Sequence, residues 1–565
     1  MFGNDYTWLK EFMNKSVTHI AFAVALIAFT SCKKSEDKPP VTADPNFTLL
    51  SATIDGRGIG TINFSTNIPI IRFTFSSKVD RVTANNKIQI FGSGFAFLSQ
   101  LTYENNDSTV VLQPAGDLNW LSKYTATVSA GLKSTSGKLL QSSFSADFIT
   151  GISPVPKFPF IGDSAILQLV QQQTFKYFWD FGHPVSGLSR ERNTSGETVT
   201  SGGSGFGIMT ILVGINRNFI SRADGLSRMQ KIVGFLKNNA QKFHGAFPHW
   251  LNGTTGAVIP FSAKDDGADL VETSYLFQGL LCARQYFNGA STDETNLRND
   301  INALWNAVEW DWFRKNNENV LYWHWSPNNN WDMNVPIQGW NEALITYVLA
   351  ASSPTHTIPK IVYDNGWARN GAIKNNNTYF NFTLPLGEPN GGPLFFAHYS
   401  FLGINPHDLT DAYANYWTQN VNHSLINHAY CKLNPRGYYG YGDSCWGLTA
   451  SDIPNGYTAS SPTNDVGVIA PTAAISSLPY TPAESMKALK FFYFLLGDKI
   501  WKEYGFVDAF SLNQLWFANS FLAIDQGPQI IMIENYRSGL LWNLFMSCPE
   551  VKTGMTKLGF SSPNL

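Results

Sequence analysis

Asp265-Asp-Gly-Ala-Asp-Leu-Val-Glu-Thr-Ser-Tyr-Leu-Phe-Gln-Gly-Leu-Leu281 is the stretch that decides the fold of the larger, C-terminal part of the chain. From Leu270 onward its apolar residues occupy nearly every face of a helix, which is typical of a helix packed between other helices. Comparable helical spacing recurs at 166–178, 205–220, 224–240, 295–313, 338–351, 408–419, 471–477, 482–496, 512–523 and 537–547.

These helices follow one another in pairs, and no predicted strand between them is long enough to build a parallel sheet. The pattern therefore predicts an all-α (α/α)6 toroid over residues 163–565. A multi-helix bundle without a central cavity would also explain the helices. It would not explain the long loops rich in Gly, Asn, Pro and Trp that separate them.

Residues 46–150 alternate apolar and polar side chains with period two, as in 70–75, 87–91, 108–112 and 124–128. Several short strands of this kind, separated by turn residues such as Asn105-Asn-Asp107, predict an Ig-like β-sandwich. The stretch 124–138, followed by Phe148-Ile-Thr150, is similar to the closing strands of bacterial Ig-like domains, which implies a spacer. We place a Pro-rich linker at 151–162.

The N-terminus has the pattern of a targeting segment, and we expect a signal peptide within 1–32. Its true start is expected at Met13, with 1–12 either an upstream start-site artefact or an extended n-region. Lys15 precedes an apolar run over 20–29 that is too short for a stable membrane span. Thr30-Ser31-Cys32 resembles a bacterial lipobox, so we expect Cys32 to carry lipid and 33–45 to act as a polar tether. The protein would then be anchored in the bacterial cell envelope, in the periplasm or at the outer-membrane surface. An ordinary signal peptide with Cys32 incidental is the alternative.

Composition excludes some partners and suggests others. The 565 residues carry a net charge of −2 without a basic run, so no nucleic-acid partner is expected. Aromatic residues make up 14% of the chain, including 17 Trp. Such side chains either fill large cores or stack on sugars.

The acids at the start of the quoted stretch are the candidate catalytic residues. Asp265, Asp269 and Glu272 stand at i, i+4 and i+7 and would share one face of a helix. Three carboxylates in line repel one another, raise at least one pKa, and are retained mainly at functional sites. A helix cap would explain Asp265 or Asp266, but not Glu272 inside the apolar run.

Glycoside hydrolysis needs one carboxylic acid to protonate the leaving oxygen and one carboxylate to activate water. On a helix, Asp269 and Glu272 would have Cβ atoms about 5–6 Å apart. Asp265 and Glu272 would be about 10 Å apart. The latter pair is close to the wider separation of about 6.5–9.5 Å used by inverting enzymes. Spacing alone leaves open which group is the acid and which the base.

An aromatic loop at 321–331 precedes Gly339-Trp-Asn-Glu342, a combination that suits a sugar-binding rim. Glu342 is either a substrate contact or a structural acid of a first helical turn. The other candidate substrate contacts could equally be satisfied core residues. They are Arg190, His249, Trp325, Trp340, His398, Tyr399, Asp465, Glu534 and Arg537.

Several motifs resemble a known bacterial family, the glucoamylase-like proteins now partly assigned to glycoside hydrolase family 144, the β-1,2-glucanases. The resemblance covers about 163–560. It rests on the motifs at 189–192 (Ser-Arg-Glu-Arg), 243–250, 264–272, 339–343, 392–399, 445–451, 461–465 and 533–537 (Ile-Glu-Asn-Tyr-Arg).

The resemblance implies an (α/α)6 barrel that hydrolyses β-1,2-glucan with inversion and endo action, releasing sophorose-type oligosaccharides. It implies that Asp265, Asp269 and Glu272 lie in the central cavity. No cofactor and no metal are expected. The expected partner is a β-glucan polysaccharide or oligosaccharide, with membrane contact through the lipid anchor only, and the protein is expected to be a monomer.

Other functions remain open from the residues alone. One is an exo-acting glucan hydrolase, either sophorose-releasing or glucoamylase-like. Another is a non-catalytic, lipid-anchored glycan-binding protein. The three clustered acids disfavour this alternative, because glycan binding alone does not need carboxylates that repel one another. A polysaccharide lyase is a further alternative. It would need basic residues around its uronate substrates, which the acidic cluster would instead repel. Cys431 and Cys445 flank a Gly/Tyr-rich loop and could be bonded to each other in an oxidising compartment.

Overall fold

The structure is a computed structural model that describes residues 47–59 and 64–565. Within it the chain divides into two compact units, one ending at Val155 and the other running from Pro156 to Leu565. The predicted signal peptide and lipidation site Cys32 lie outside the described residues. No helix in the described ranges is both long and apolar enough to cross a membrane.

The N-terminal unit is a sandwich of two five-stranded sheets. Their orders are β2-β1-β4-β8-β7 and β3-β10-β9-β5-β6, and neighbours pair antiparallel except for the parallel pair β3 and β10. The strands are β1 Leu49–Ile54, β2 Arg57–Gly58, β3 Phe64–Ser65, β4 Ile71–Phe75, β5 Ile88–Gly92, β6 Phe95–Phe97, β7 Ser99–Glu104, β8 Thr109–Pro114, β9 Lys123–Val128 and β10 Phe144–Thr150; helix α1 spans Arg81–Lys87.

Period-two alternation explains the core of this unit, because successive strand residues point to opposite faces. In β4, Ile71, Phe73 and Phe75 are buried while the residues between them are not. Ile88 and Ile90 of β5 pack into the same core. The predicted sandwich is therefore confirmed.

The C-terminal unit is built of helices. They are α2 Asp163–Trp179, α3 Ser201–Asn216, α4 Arg222–Asn238, α5 Leu270–Tyr286, α6 Thr292–Asn306, α7 Leu344–Ser352, α8 Tyr416–Leu433, α9 Pro471–Ser476, α10 Pro482–Ile500, α11 Ala523–Ser538, α12 Leu540–Met546 and α13 Pro549–Leu558. Shorter helical segments are Trp310–Arg314, Lys360–Val362, Tyr363–Trp367, Arg369–Gly371, Pro389–Gly391, Leu394–Ala397 and Tyr399–Leu402.

Short strands lie in the loops of this unit. They are β11 Thr198–Thr200, β12 Trp250–Asn252, β13 Val258–Ile259, β14 Ala268–Asp269, β15 His324–Trp325, β16 Lys374–Tyr379, β17 Phe382–Leu386, β18 Ala450–Ile453, β19 Gly456–Ala459, β20 Trp501–Lys502, β21 Gly505–Phe506, β22 Phe510–Ser511 and β23 Trp516–Phe517. None has a neighbour that would extend it into a parallel sheet within the described residues.

The helices form two layers. The inner layer closes on itself in the order α3, α5, α7, the 3-10 segments at 394–402, α9 and α11, which returns to α3. The outer layer consists of α2, α4, α6, α13, α8 and α10, each packed on an inner neighbour. Six inner and six outer segments within 156–565 make the predicted (α/α)6 arrangement.

The inner helices α3 and α5 are buried on every face because both sides of this layer are covered. Every residue of α3 from Ser201 to Ile215 is buried, and so is every residue of α5 from Leu270 to Ala283. The two helices approach backbone to backbone: a Cβ on Gly205 would lie 2.0 Å from the Tyr275 carbonyl oxygen. Only glycine fits at such a contact.

The structure differs from the sequence prediction at several segments. Residues 408–419 were predicted as a helix, but α8 begins only at Tyr416 and runs to Leu433. Residues 512–523 were predicted as a helix, but they form a loop and β23, and α11 begins only at Ala523. The inner segment at 394–402 is 3-10 rather than α-helical, and no helix was predicted there. The four described cysteines are all buried free thiols, so Cys431 and Cys445 are not bonded.

Candidate active site

The acid cluster lies where α5 begins. Asp269 is the N-cap of α5, and its Oδ1 accepts hydrogen bonds from Val271 N at 3.0 Å and Glu272 N at 2.9 Å. Its backbone belongs to β14, which pairs with His324 and Trp325 of β15. An acid at this position satisfies free N–H groups and the helix dipole.

The helical-face argument is corrected by this geometry. Asp265 lies in a turn before α5, Asp269 caps the helix, and only Glu272 is inside it. The helical distances expected from i, i+4 and i+7 spacing therefore do not apply. Two histidines outside the helix, His249 and His324, bring the three carboxyls together.

His249 links Asp269 and Glu272. Its Nδ1 lies 3.1 Å from Asp269 Oδ2, and its Nε2 lies 4.0 Å from Glu272 Oε1. Burial lowers the pKa of His249, but the charges of Glu272, Asp269 and Asp265 outweigh burial and raise it to about 9. The imidazole is therefore a cation at neutral pH.

His324 stands on the other side of the cluster. Its Nε2 lies 3.4 Å from Asp265 Oδ2 and 3.7 Å from Asp269 Oδ2. Burial raises the pKa of Asp265, and His324 only partly offsets that effect. Burial also raises the pKa of Asp269, but the hydrogen bond from His249 and the electrostatic effects of His324 and His249 reverse the sign and leave it below its ordinary value.

Glu272 is held by the first turn of α3. Its Oε2 accepts hydrogen bonds from Thr200 Oγ1 at 3.0 Å and Gly202 N at 2.7 Å. Burial raises the pKa of Glu272. A Cβ on Gly202 would lie 2.6 Å from Glu272 Oε2, so this contact requires glycine.

Glu342 precedes α7 and faces the same cluster. Burial raises its pKa to about 7, and the charges of Asp269 and Glu272 act in the same direction. The Tyr275 hydroxyl donates to the Glu342 carbonyl oxygen at 3.4 Å. Glu342 keeps partial exposure while surrounded by protein, as expected for a group in a cavity wall. It therefore retains a proton near neutral pH.

Two predicted aromatic contacts lie next to the cluster. Trp325 pairs with Ala268 in the strand that carries Asp269, and its ring packs edge-on against His244 at 5.0 Å. Tyr399 packs edge-on against Tyr275 at 5.7 Å. The structure thus brings Asp265, Asp269, Glu272, Glu342, His249, Trp325 and Tyr399 into one region.

Glu534 and Arg537 lie at the other end of the inner helices, which corrects their prediction as substrate contacts. Glu534 Oε2 is 2.7 Å from Arg217 Nε, just past the C-terminus of α3. Gly202, which binds Glu272, is fifteen residues earlier, or about 22 Å along the helix. Arg537 donates to two glutamines of α2. Both residues therefore stabilise helix packing.

Four further predicted contacts are engaged in packing or in hydrogen bonds with other parts of the helical unit. Asp465 accepts hydrogen bonds from the Tyr430 and Tyr441 hydroxyls. His398 Nε2 bonds Ser477 Oγ at 3.0 Å, and burial lowers its pKa to about 3. Trp340 is buried against other aromatic rings. Arg190 donates to two backbone carbonyls.

Sequence reasoning missed His324, Thr200 and Gly202. His324 stood inside the aromatic stretch at 321–331, and its alternation with Trp323 and Trp325 was the available signal. Nothing in the local sequence of Thr200 and Gly202 marks them as partners of Glu272, because the contact spans about seventy positions. The ligand atoms of His249, Asp265 and Asp269 also lie within 4.8 Å of one another, close enough to hold a metal ion.

Comparison with known proteins agrees with this architecture. The family described as "Putative glucoamylase" matches residues 334–549, and the family described as "Bacterial Ig-like domain" matches 58–150. The structure of an endo-β-1,2-glucanase from Chitinophaga pinensis, in complex with sophorotriose and glucose, is 54% identical. It superposes with a TM-score of 0.71 over 72% of this chain and 100% of that one.

The chain belongs to the glucoamylase-like family of the glycoside hydrolase family 144 type. Its fold is an Ig-like sandwich followed by the (α/α)6 glucanase domain. A Bacteroides uniformis family member described as a "putative glucoamylase" is 55% identical, with a TM-score of 0.71 over 72% of this chain and 100% of that one.

A further relative is the exo β-1,2-glucooligosaccharide sophorohydrolase (non-reducing end) of Parabacteroides distasonis. It is 47% identical over 419 residues, which is 70% of this chain. The chain spans 58% of the length of that relative.

Proposed function

We propose that this chain hydrolyses β-1,2-linked glucan with inversion, by endo action that releases sophorose-type oligosaccharides. The observation that carries the proposal is a second carboxyl group that faces the acid cluster. The pKa of Glu342 is raised to about 7, with Asp269 and Glu272 among the charges that raise it, and Glu272 lies 4.0 Å from the His249 imidazole, whose pKa is raised to about 9. One carboxylic acid and one carboxylate are the groups that inverting glycoside hydrolysis needs.

Glu342 is the proton donor in this mechanism. With a pKa of about 7 it is partly protonated at neutral pH, it keeps partial exposure, and it can transfer its proton to the leaving glycosidic oxygen. As the leaving bond breaks, Glu342 becomes a carboxylate. Inverting hydrolysis then requires a second carboxylate to take a proton from the attacking water.

Glu272 supplies that second carboxylate. Thr200 and Gly202 hold its Oε2, while Oε1 faces the His249 imidazole at 4.0 Å. Burial raises the pKa of Glu272, and the charge of the His249 imidazole acts against that effect and favours the carboxylate. Asp269 is nearly inaccessible, with its oxygens committed to the helix N-terminus and His249, so it orients His249 rather than water.

Aromatic side chains on the same side of the unit suit sugar stacking. His244 stacks on Trp312 with ring centroids 3.9 Å apart, and Trp312 keeps 41% of its surface exposed. Trp325 packs edge-on against the same histidine. The exposed indole of Trp312, linked to β14 through His244 and Trp325, offers an apolar face to the C–H groups of a glucosyl unit.

The deciding experiment incubates the purified chain with a panel of β-1,2-, β-1,3-, β-1,4- and α-1,4-glucans and follows product length and anomeric configuration. Hydrolysis of β-1,2-glucan alone, with α-anomeric products appearing first, supports the proposal. Hydrolysis of another linkage, or β-anomeric products first, contradicts it.

Exo action is the second candidate, favoured by the sophorose-releasing relative from Parabacteroides distasonis. The two modes differ in early products. Endo action gives a spread of oligosaccharides and a rapid fall in polymer length, whereas exo action gives sophorose from the outset. The same time course therefore separates them.

For the remainder of the chain we propose a lipid anchor at Cys32 and a spacer role for the Ig-like unit, with the enzyme acting as a monomer in the cell envelope. The support is the lipobox-like Thr30-Ser31-Cys32 and the polar segment after it. Cys32→Ser should release the protein from membrane fractions of expressing cells. Membrane retention of that variant would contradict the anchor.

A further inference from the structure

A second group of carboxyls lies outside the cluster that the mechanism uses. Asp508 follows β21, Asp525 lies in the first turn of α11, and Asp452 is in the hairpin formed by β18 and β19. Asp508 is 0% exposed and Asp525 4% exposed. Burial of two neighbouring acids is costly unless their charge is reduced or compensated.

The contacts show how this cost is reduced. Asp508 Oδ2 accepts the Asp452 N–H at 2.7 Å, and the Asp508 and Asp525 carboxyls are hydrogen-bonding neighbours. Asp508 Oδ1 and Asp525 Oδ2 receive no hydrogen from any N–H or hydroxyl group in the described part of the chain. A proton shared between the two carboxyls satisfies both, since two buried carboxylates in contact cannot both be ionised.

The charged and titratable neighbours of the pair are Arg192, Asp452, Tyr399 and Tyr457. Arg192 is the cation among them, and it is committed elsewhere. Its Nε lies 2.9 Å from Glu191, and its Nη1 lies 3.2 Å from Asp452. Asp452 adds repulsion toward the pair. The proton between Asp508 and Asp525 is therefore not replaced by a nearby cation.

The pair connects two parts of the rim, by which we mean the loops around the end of the barrel where α3 and α11 begin. Through Asp508 it holds the backbone of Asp452, whose carboxylate binds Arg192 and the Ser520 hydroxyl. The other member of the pair, Asp525, belongs to the first turn of α11. The start of α11 is tied to the segment before α3 by the Ala523 N to Glu191 O hydrogen bond. The first turn of α3 in turn binds Glu272.

We propose that Asp508 and Asp525 share one proton and act as a positioning pair, which fixes the β18–β19 hairpin and Arg192 against the N-terminal end of α11. Neither carboxyl is used by the mechanism proposed above. Its kinetic consequence rests on the proposed hydrolase function, but its effect on stability does not.

The shared proton gives stability a defined pH dependence. Burial raises the pKa of Asp508 to about 7 and raises that of Asp525 as well. A carboxyl whose folded pKa is raised contributes stability that is fully present below its unfolded pKa of about 3.9. That contribution is lost as pH rises through the folded value.

The first test is thermal unfolding of the full chain between pH 4.5 and 8. Asp508→Asn keeps an acceptor for Asp452 N and replaces the shared proton by an amide hydrogen. The wild-type Tm should therefore fall relative to that of Asp508→Asn by about 2 °C or more across this range. Asp300→Asn, at an exposed carboxylate paired with Lys237, is the matched control and should track the wild type. A constant Tm difference between wild type and Asp508→Asn would overturn the proposal.

The second test is kinetic. Asp508→Ala removes the acceptor of the Asp452 N–H and should raise KM for the glucan about tenfold, with a smaller effect on kcat. Asp508→Asn should recover most of that loss. Equal losses in the two variants would show that the shared proton and its amide replacement do not position the rim. If the wild type proves inactive on every glucan, the proposed function fails while the Tm comparison still decides this proposal.

Discussion

His249 Nδ1 lies 3.1 Å from Asp269 Oδ2 inside the helical unit, and only 22% of the imidazole surface is exposed. Burial alone would keep this histidine neutral, yet three carboxyls raise its pKa to about 9. One cation thus reduces the mutual repulsion of Asp265, Asp269 and Glu272. The cluster is stable because the imidazole and the N-terminus of α5 share its negative charge.

Replacing His249 should therefore disable the site. His249→Gln keeps a hydrogen-bond donor but removes the charge, so the pKa values of Asp269 and Glu272 rise and kcat falls about 10²-fold or more. His356→Gln is the matched control, because His356 bonds Asp311 at 3.0 Å on the surface. Steady-state kinetics on β-1,2-glucan checks both variants. A His249→Gln enzyme with wild-type kcat and pH profile would show that the imidazole charge is not used.

The pKa of Glu342 predicts how activity falls on the alkaline side of the pH profile. As the proton donor, with its pKa raised to about 7, it loses its proton as pH rises, so kcat/KM should fall above about pH 7. Glu342→Gln should lose about 10²–10⁴-fold in kcat and abolish that limb. The control variant Glu388→Gln, at an exposed position, should keep the wild-type kcat and the alkaline limb of the pH profile. An unchanged alkaline limb in Glu342→Gln would assign the proton donor elsewhere.

The sequence predicted the two fold classes because each depends on local periodicity. Alternation in segments such as Ile71–Phe75 and helically spaced apolar residues in stretches such as Leu270–Leu281 are each visible within one element. The inner segment at 394–402 was missed because tertiary packing, not local spacing, keeps it in 3-10 form between α7 and α9. The segment 512–523 was wrongly predicted helical because aromatic residues of a short hairpin matched helical spacing by chance.

The site was predicted in part for a similar reason. Asp265, Asp269 and Glu272 stand within one motif, so their association was visible, but the helix start at Leu270 was not. The roles of His324, Thr200 and Gly202 depend on contacts between distant segments. Glu534 and Arg537 form a conspicuous motif, yet α11 carries them to the end of the barrel away from Glu272.

Gly202 should tolerate no side chain. A Cβ there would lie 2.6 Å from Glu272 Oε2, so Gly202→Ala displaces the carboxyl or the first turn of α3. Such crowding typically costs about 1–3 kcal/mol in stability, and activity should fall further because Glu272 moves. Gly234→Ala is the matched control, since no atom lies within 4 Å of its Cβ position on α4. Thermal unfolding and kcat of the two variants test this. Equal behaviour would contradict the close contact.

Arg217 and Glu534 should matter for stability and not for substrate. Burial raises the pKa of Glu534, but the hydrogen bonds from Arg217 outweigh it and lower the pKa. The stabilising contribution is therefore present above about pH 4.5 and lost as pH falls below it. Arg217→Met leaves the Glu534 carboxylate buried without its cation, which typically costs about 3–5 kcal/mol. KM at a temperature where the variant is folded should stay at the wild-type value. A raised KM with unchanged stability would restore Glu534 as a substrate contact.

Activity should survive chelators, although the ligand atoms of His249, Asp265 and Asp269 lie within 4.8 Å of one another. An imidazole binds a metal only when neutral, and the pKa of His249 is raised to about 9. Asp269 Oδ1 already accepts two backbone N–H groups, and Oδ2 faces His249. A divalent ion would have to displace the proton that holds the cluster together.

Hydrolysis of β-1,2-glucan should therefore be the same after dialysis against EDTA and after addition of Ca²⁺ or Zn²⁺. Inactivation by EDTA that one of these ions reverses would make the three residues a metal site and would require a different carboxylate pair for catalysis.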